Sequence, residues 1–241
     1  MRAELLKVRS MPTPMWCLIA VVICFVLGIV GTVLWGPGAD SEVVDIAVGI
    51  PTLIASIVFG VWMVGVEYGQ NTLRRTLTAD PRRLRLVFDK LAVMLLLVVL
   101  VTAVLHLLAL PIYDLASQGH DHSVSASAVK DAALADLMSN FAYSIVGFAF
   151  ALITASMAGG VTMALVFIFV IDTVVSIVPK IENVAMGPAL EKVSSSLRGS
   201  DVGAFGENVD AAHASDVLIV AAWLIGLLAL GALRFLRSDV K

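Results

Sequence analysis

Few side chains in this sequence are equipped for chemistry, and those that are sit in apolar surroundings. Asp172 lies in the run VTMALVFIFVIDTVVSIV, where its nearest polar neighbours are Thr173 and Ser176. A carboxylate at membrane depth costs about 2.5–3.5 kcal/mol on insertion scales, so it must face a cavity or a partner. Two roles stay open for it: a place in a translocation path or outer gate, or a structural pairing with Lys180 or another helix. His106 stands about one turn from the end of a second apolar run, and an interface-reaching histidine is favoured there over a proton relay. His120-Asp121-His122, with Asp114 nearby, offers two potential metal ligands, but an exposed polar turn is the simpler reading. Asn140, Tyr143 and Ser144 could line a pathway, and interhelical hydrogen bonds explain them equally well.

The motifs of common catalysis are missing. No Gly-x-x-x-x-Gly-Lys occurs, no Gly is followed by Lys at all, and neither His-Glu-x-x-His nor Gly-x-Ser-x-Gly is present. The chain is therefore expected to be no enzyme and to hold no cofactor; if ATP drives it, another polypeptide must bind the nucleotide and its magnesium. Nothing in the pattern calls for a nucleic-acid partner.

The elements that must position these residues are membrane spans. Of the 241 residues, 59% are hydrophobic and 15% charged, against about 25% charged in globular chains, and the mean hydropathy is +0.97. Backbone inside a bilayer must satisfy its own hydrogen bonds, so the expected fold is an all-α integral membrane protein forming a single transmembrane domain over 1–241. Runs approaching about 20 apolar residues predict six spans: Met15–Leu34, Ile46–Val66, Leu91–Leu110, Leu137–Ala158, Val161–Val178 and Val217–Phe235. Residues 137–178 are nearly continuous and apolar, and Gly159-Gly160 is the expected break between the fourth and fifth. The first span is read as uncleaved, because it is longer than a signal-peptide core and no small-residue cleavage site clearly follows. Cys17 and Cys24 are about 10 Å apart on a helix, too far for a disulfide, and read as lipid-facing or packing thiols.

Charge sets the sidedness. With the N-terminus inside, the inner segments hold twelve of the sixteen Lys and Arg residues, and the outer ones only Lys130, Lys180, Lys192 and Arg198. The positive-inside rule favours this orientation, with both termini cytoplasmic. The outer segment 179–216 contains GPALEKVSSSLRG, where Pro188 can start a helix and Gly199 stop one. Ala189, Leu190, Val193 and Leu197 would share a face, predicting a short amphipathic or re-entrant helix. Gly65 with Gly69, and Ala151, Ala155 and Gly159, are spaced for close helix packing.

Six of the basic residues fall within EYGQNTLRRTLTADPRRLRLVFDK, residues 67–90. Residues 71–80 can form a short helix with Leu73, Thr76 and Leu77 on one face, ended by Pro81 because the residue before proline avoids the α region. Lipid head groups would account for the charge, but not for a compact helix–proline–helix pattern with interleaved carboxylates and threonines.

This stretch resembles the transmembrane permease subunit of an ATP-binding-cassette transporter of the type-2 exporter class, in the style of actinobacterial members. Glu67, Tyr68, Thr72, Leu73, Arg74, Leu77, Pro81, Arg83 and Lys90 match a pattern common in such permeases, while Asn71 stands where glycine is usual. Glu4, Lys7, Arg9 and Trp16 resemble the family's amphipathic N-terminal helix, and the FLRSD ending its basic tail. The resemblance implies that the segment between the second and third spans is a coupling helix seated in an ATPase subunit, with Thr72, Leu73, Arg74, Arg75, Leu77, Pro81, Arg82 and Arg83 at that contact. It implies Glu67, Asp172 and Asn140 as gating or translocation candidates. It also implies an ATPase dimer and a second permease copy, identical or similar, as partners, and a multi-pass location in a bacterial plasma membrane. The expected cargo is a hydrophobic or amphipathic compound such as a drug, antibiotic, peptide or lipid, exported along the interface between two permeases. Two readings compete: an ion-coupled secondary transporter using Asp172 and His106, and a non-transporting scaffold or sensor whose basic loop binds lipid or a cytosolic protein.

Overall fold

The computed structural model describes residues 19–24, 26–27, 41–70, 72, 82–116, 126–179, 181–199 and 208–237. The described chain is all helical. Residues 19–24 and 26–27 are helical, and the rest of the expected first span and the amphipathic N-terminal helix lie outside the described residues. The elements that follow are α1 (Ser41–Gly69), α2 (Arg83–Ala116), α3 (Ala126–Thr154), α4 (Met157–Val166), a π-helical turn (Phe167–Ile171), α5 (Asp172–Ile177), a 3-10 turn (Glu182–Val184), α6 (Met186–Arg198) and α7 (Ala214–Arg237). Among the described residues, five helical segments are long and apolar enough to cross a membrane, with α4, the π turn and α5 counting as one. The protein is a multi-pass helical membrane protein.

The helices run past the expected spans because backbone hydrogen bonding continues after the apolar run stops. α2 begins at Arg83 rather than near Leu91, and α3 at Ala126 rather than near Leu137. Both extensions matter, because they place Lys90 and Asp136 on rigid helix instead of loop.

The break between the fourth and fifth spans is not at Gly159-Gly160. Ala155 has φ 53°, and Ser156 in extended backbone caps α4 by accepting a hydrogen bond from Gly159 N at 3.3 Å. A serine cap satisfies one of the orphan amides of a new helix, which a glycine pair does not do. Gly160 has a packing role instead: a Cβ there would stand 3.0 Å from both Ala151 Cα and a Val61 methyl.

The centre of the bundle is the α1–α3 pair, on which α2, α4 and α7 pack. Lipid offers no hydrophobic drive between helices, so association depends on close backbone approach. Gly60 faces the Ser144 carbonyl so tightly that any Cβ would overlap it, and a Cβ on Gly147 would lie 2.5 Å from the Ile57 carbonyl oxygen. Of the expected Gly65/Gly69 pair, Gly65 packs on Met157 while Gly69 faces open space. Around this crossing lie Ile57, Val61, Trp62, Val146, Phe148 and Leu152, all at most 2% exposed. The outward faces carry large apolar side chains such as Leu107, Leu218, Ile225 and Phe169, as a lipid-facing surface requires.

α6 lies across the bundle end opposite the arginine-rich segment, here called the far end. It runs from Met186 to Gly199, whose φ of 66° supplies the left-handed C-cap. Ala189, Leu190 and Val193 are buried as its amphipathic pattern implies, but Leu197 is exposed and Met186 and Ser195 complete the buried face. Arg198 turns toward α3 at this point, so the last turn meets the bundle through a charge rather than through Leu197.

Candidate functional site

Two polar clusters stand out, one at each end of the bundle. At the arginine-rich end, α1 carries Glu67 and α2 carries Lys90. Lys90 Nζ lies 3.0 Å from Glu67 Oε1, with the two side chains 4% and 2% exposed, and also donates to the Met63 carbonyl at 3.0 Å. The fold places them so because Glu67 falls in the last turn of α1 and Lys90 two turns into the antiparallel α2. A buried charge must be paired or it destabilises strongly, so these partners stand or fall together. Thr72 N donates to the Glu67 carbonyl at 3.1 Å, continuing the turn off α1.

Arg83 and Arg234 bind carbonyls on this side. Arg83 Nη1 donates to Phe235 O at 3.2 Å and Leu236 O at 3.1 Å, covering two of the last carbonyls of α7. Arg234 Nε donates to Ile153 O near the end of α3. Cations at helix C-termini satisfy orphan acceptors and the negative end of the dipole. Arg82 is exposed, whereas Leu73, Arg74, Arg75, Leu77 and Pro81 lie outside the described residues. Trp62 Nε1 and Tyr68 Oη, also on α1, are buried and have no hydrogen-bond partner among the described residues.

At the far end, Asp136 of α3 is shared. Arg198 Nη2 of α6 lies 2.7 Å from its Oδ1, and His106 Nε2 of α2 lies 3.2 Å from its Oδ2. His106 Nδ1 sits 2.8 Å from the Thr102 carbonyl, and the Thr102 hydroxyl accepts from Asn140 Nδ2 at 3.1 Å. Thr102, His106, Asp136 and Asn140 are all buried. Asn140, read as a pathway candidate, is thus fastened between α2 and α3.

Asp172 resolves into a helix cap. Its Oδ1 accepts from Met186 N at 2.6 Å and its Oδ2 from Gly187 N at 2.8 Å, so one carboxylate holds the first two amides of α6. Charge on the acceptor strengthens both bonds, and the N-terminal dipole favours an anion. Gly187 leaves room for this contact, since a Cβ there would press on Asp172 Oδ2 and the carboxylate would have to shift. Lys180, one partner considered for a structural pairing, lies outside the described residues, as do His120, Asp121 and His122. Trp223 of α7 adds a further tie by donating from Nε1 to Val184 O at 2.7 Å, just ahead of α6.

Several of these residues carried no signal in the sequence. Arg198 reads as a charge of an outer segment, and 62 positions separate it from Asp136. Gly187 looks like any loop glycine until Asp172 is seen beside it. Lys90 closes the arginine-rich stretch, but nothing in its spacing names Glu67 as its partner. No protein-family model, curated protein or solved structure matches the chain.

Proposed function

We propose that the chain is the membrane-spanning permease subunit of an ATP-driven type-2 exporter, working with two ATPase subunits and a second permease copy in a bacterial plasma membrane. Six spans with both termini cytoplasmic make up this arrangement, the first running through residues 15–34. The cargo is a hydrophobic or amphipathic compound. ATP binding closes the two ATPase subunits on each other, and a short helix seated in each carries that motion to the spans it joins.

The observation that carries this reading is the Glu67–Lys90 pair. The two residues bracket the arginine-rich segment and meet at 3.0 Å in a buried setting. The end of α1 and the start of α2 are therefore fixed to each other at this point. A segment anchored so firmly at its base transmits a push to α1 and α2 together, where a loose loop would absorb it. Arg83 extends the same logic, because it links the start of α2 to the end of α7.

In this reading Leu73 and Leu77 enter a groove of the ATPase, with Arg74 and Arg75 at the charged rim. The test is the double variant Leu77→Glu, Arg74→Glu in the purified complex. Loss of the ATPase subunit and of ATP-dependent transport is the expected outcome. Retention of both at wild-type level overturns the proposal.

A further inference from the structure

α7 turns one side to the bundle and the other to lipid, and a groove runs along it. Val220 and Leu227 are buried, whereas Leu218 and Leu230 are 69% and 59% exposed. Between those two leucines the surface falls away, because Ala222 and Gly226 put little or no side chain there. A Cβ added at Gly226 would meet nothing within 4 Å. The result is an open-sided cavity of about 450 Å³, whose wall includes Val184 from the 3-10 turn ahead of α6. The groove does not close on itself. Trp223, the large ring in its wall, is held on two sides: its Nε1 donates to Val184 O at 2.7 Å, and its ring meets Phe167 of the π-helical turn edge-on at 5.3 Å. Phe167 in turn packs on Phe150 of the core, with ring centroids 5.5 Å apart. A ring fixed in this way does not fold down over Gly226.

Shape and chemistry select the occupant. From Leu218 to Leu230 the groove follows α7 for about 18 Å at about 1.5 Å per residue, rather more than half of a hydrocarbon core about 30 Å thick. Spread over that length, the 450 Å³ give a cross-section of roughly 25 Å², a third or less of that of a helix about 10–12 Å across. A helix of a second copy is too wide to enter, whereas a single hydrocarbon chain is not. Pockets that select a compact ligand add a few polar groups to fix its orientation. Here the lining side chains are apolar, and the Trp223 N–H among them is already engaged by Val184 O. We propose that this groove binds one acyl chain of a membrane phospholipid from the leaflet at the far end, with the head group beyond Leu218. Lipid has no hydrophobic drive to leave other lipid, so retention rests on dispersion contacts along the fixed walls. The site does not depend on the exporter reading, since it asks only for a bilayer around α7.

The test titrates the full-length protein in detergent micelles with dioleoyl phosphatidylethanolamine, and native mass spectrometry reads the Kd of the first lipid bound. Gly226→Leu fills the groove and is expected to weaken that Kd about tenfold, the scale of roughly ten lost heavy-atom contacts. Ala222→Leu, a second filling variant, should act in the same direction. Ile225→Ala changes a side chain that is 66% exposed and outside the groove, and it should leave the Kd unchanged. Dihexanoyl phosphatidylethanolamine, with the same head group and short chains, should bind the wild-type protein at least about tenfold more weakly. This last comparison needs no variant, so a filling substitution that misfolds does not remove the test. Equal affinity for the short-chain lipid overturns the proposal by assigning binding to the head group. Wild-type affinity in both filling variants also overturns it, as does an equal loss in Ile225→Ala, which would mark general lipid contact. Two further results would name another occupant and overturn it: a dimer that disappears in Gly226→Leu while lipid affinity holds, or a first-bound molecule, released from protein taken directly from its membrane, that is not a phospholipid.

Discussion

The two ends of the bundle solve the same problem, charge taken out of water, in different ways. At the arginine-rich end a single carboxylate meets a single ammonium, and both are almost wholly buried. At the far end one carboxylate is shared by a guanidinium and an imidazole from two other elements, and a second carboxylate is spent on two backbone amides. A buried pair loses most when one member is removed. A shared carboxylate keeps a partner. The first arrangement suits a hinge point that must not slip, and the second suits an end that can loosen in steps.

The sharpest way to break this contrast is to remove one member of the buried Glu67–Lys90 pair. Lys90→Met leaves Glu67 charged and buried, and the expected cost is about 3–5 kcal/mol of unfolding free energy, read by denaturant titration in detergent micelles. Adding Glu67→Gln to Lys90→Met should recover most of that loss, since the amide leaves no uncompensated charge. At the far end, His106→Gln should cost less than half as much, because Asp136 keeps Arg198. Equal losses from Lys90→Met and His106→Gln would show that the ends do not differ in this way.

Between these extremes stands the α1–α3 crossing, which belongs to neither end and ties them together. Gly60→Ala places a methyl against the Ser144 carbonyl, and backbone cannot move aside as a side-chain tip can. The expected loss is about 1–3 kcal/mol by overpacking. Gly226→Ala on α7, where an added Cβ would meet nothing within 4 Å, serves as the control and should be neutral or slightly stabilising. A similar loss in both variants would remove the close crossing as the cause.

What the sequence made legible follows from the same physics. Hydropathy locates five of the six expected spans among the described residues, because a span's length is set by the bilayer, and the αL stop at Gly199 is readable because few residues other than glycine tolerate that backbone. The fourth-to-fifth break was misplaced, since a glycine pair signals flexibility while Ser156 signals a cap, and both lay within five residues. Leu197 was assigned to the buried face by periodicity alone, which cannot know that Arg198 would turn the helix end toward Asp136. The partners of Asp172, Asp136 and Lys90 were not legible at all. Each pairing joins positions far apart in the chain, or a side chain to backbone, and single-chain spacing carries no trace of either. Those pairings make up nearly all of both clusters, so the scaffold could be read and the sites could not.

The cap at α6 gives the finest adjustment of the far end. Asp172→Asn keeps one carbonyl oxygen for either Met186 N or Gly187 N, while its amide nitrogen can only donate and turns a second donor toward the other. Loss of a cap of this kind costs about 1 kcal/mol. Here the loss should be local: hydrogen exchange at Met186 and Gly187 should speed up about fivefold at fixed pH, with the amides of α3 unchanged. Asn140→Ala is expected to have a smaller effect still, about 0.6 kcal/mol, as for single hydrogen bonds between membrane helices. If Asp172→Asn instead released the whole of α6, including the turn at Arg198, the far end would behave as one cooperative unit. The independence of its two clasps, the Asp172 cap and the Arg198–Asp136 pair, would then be lost.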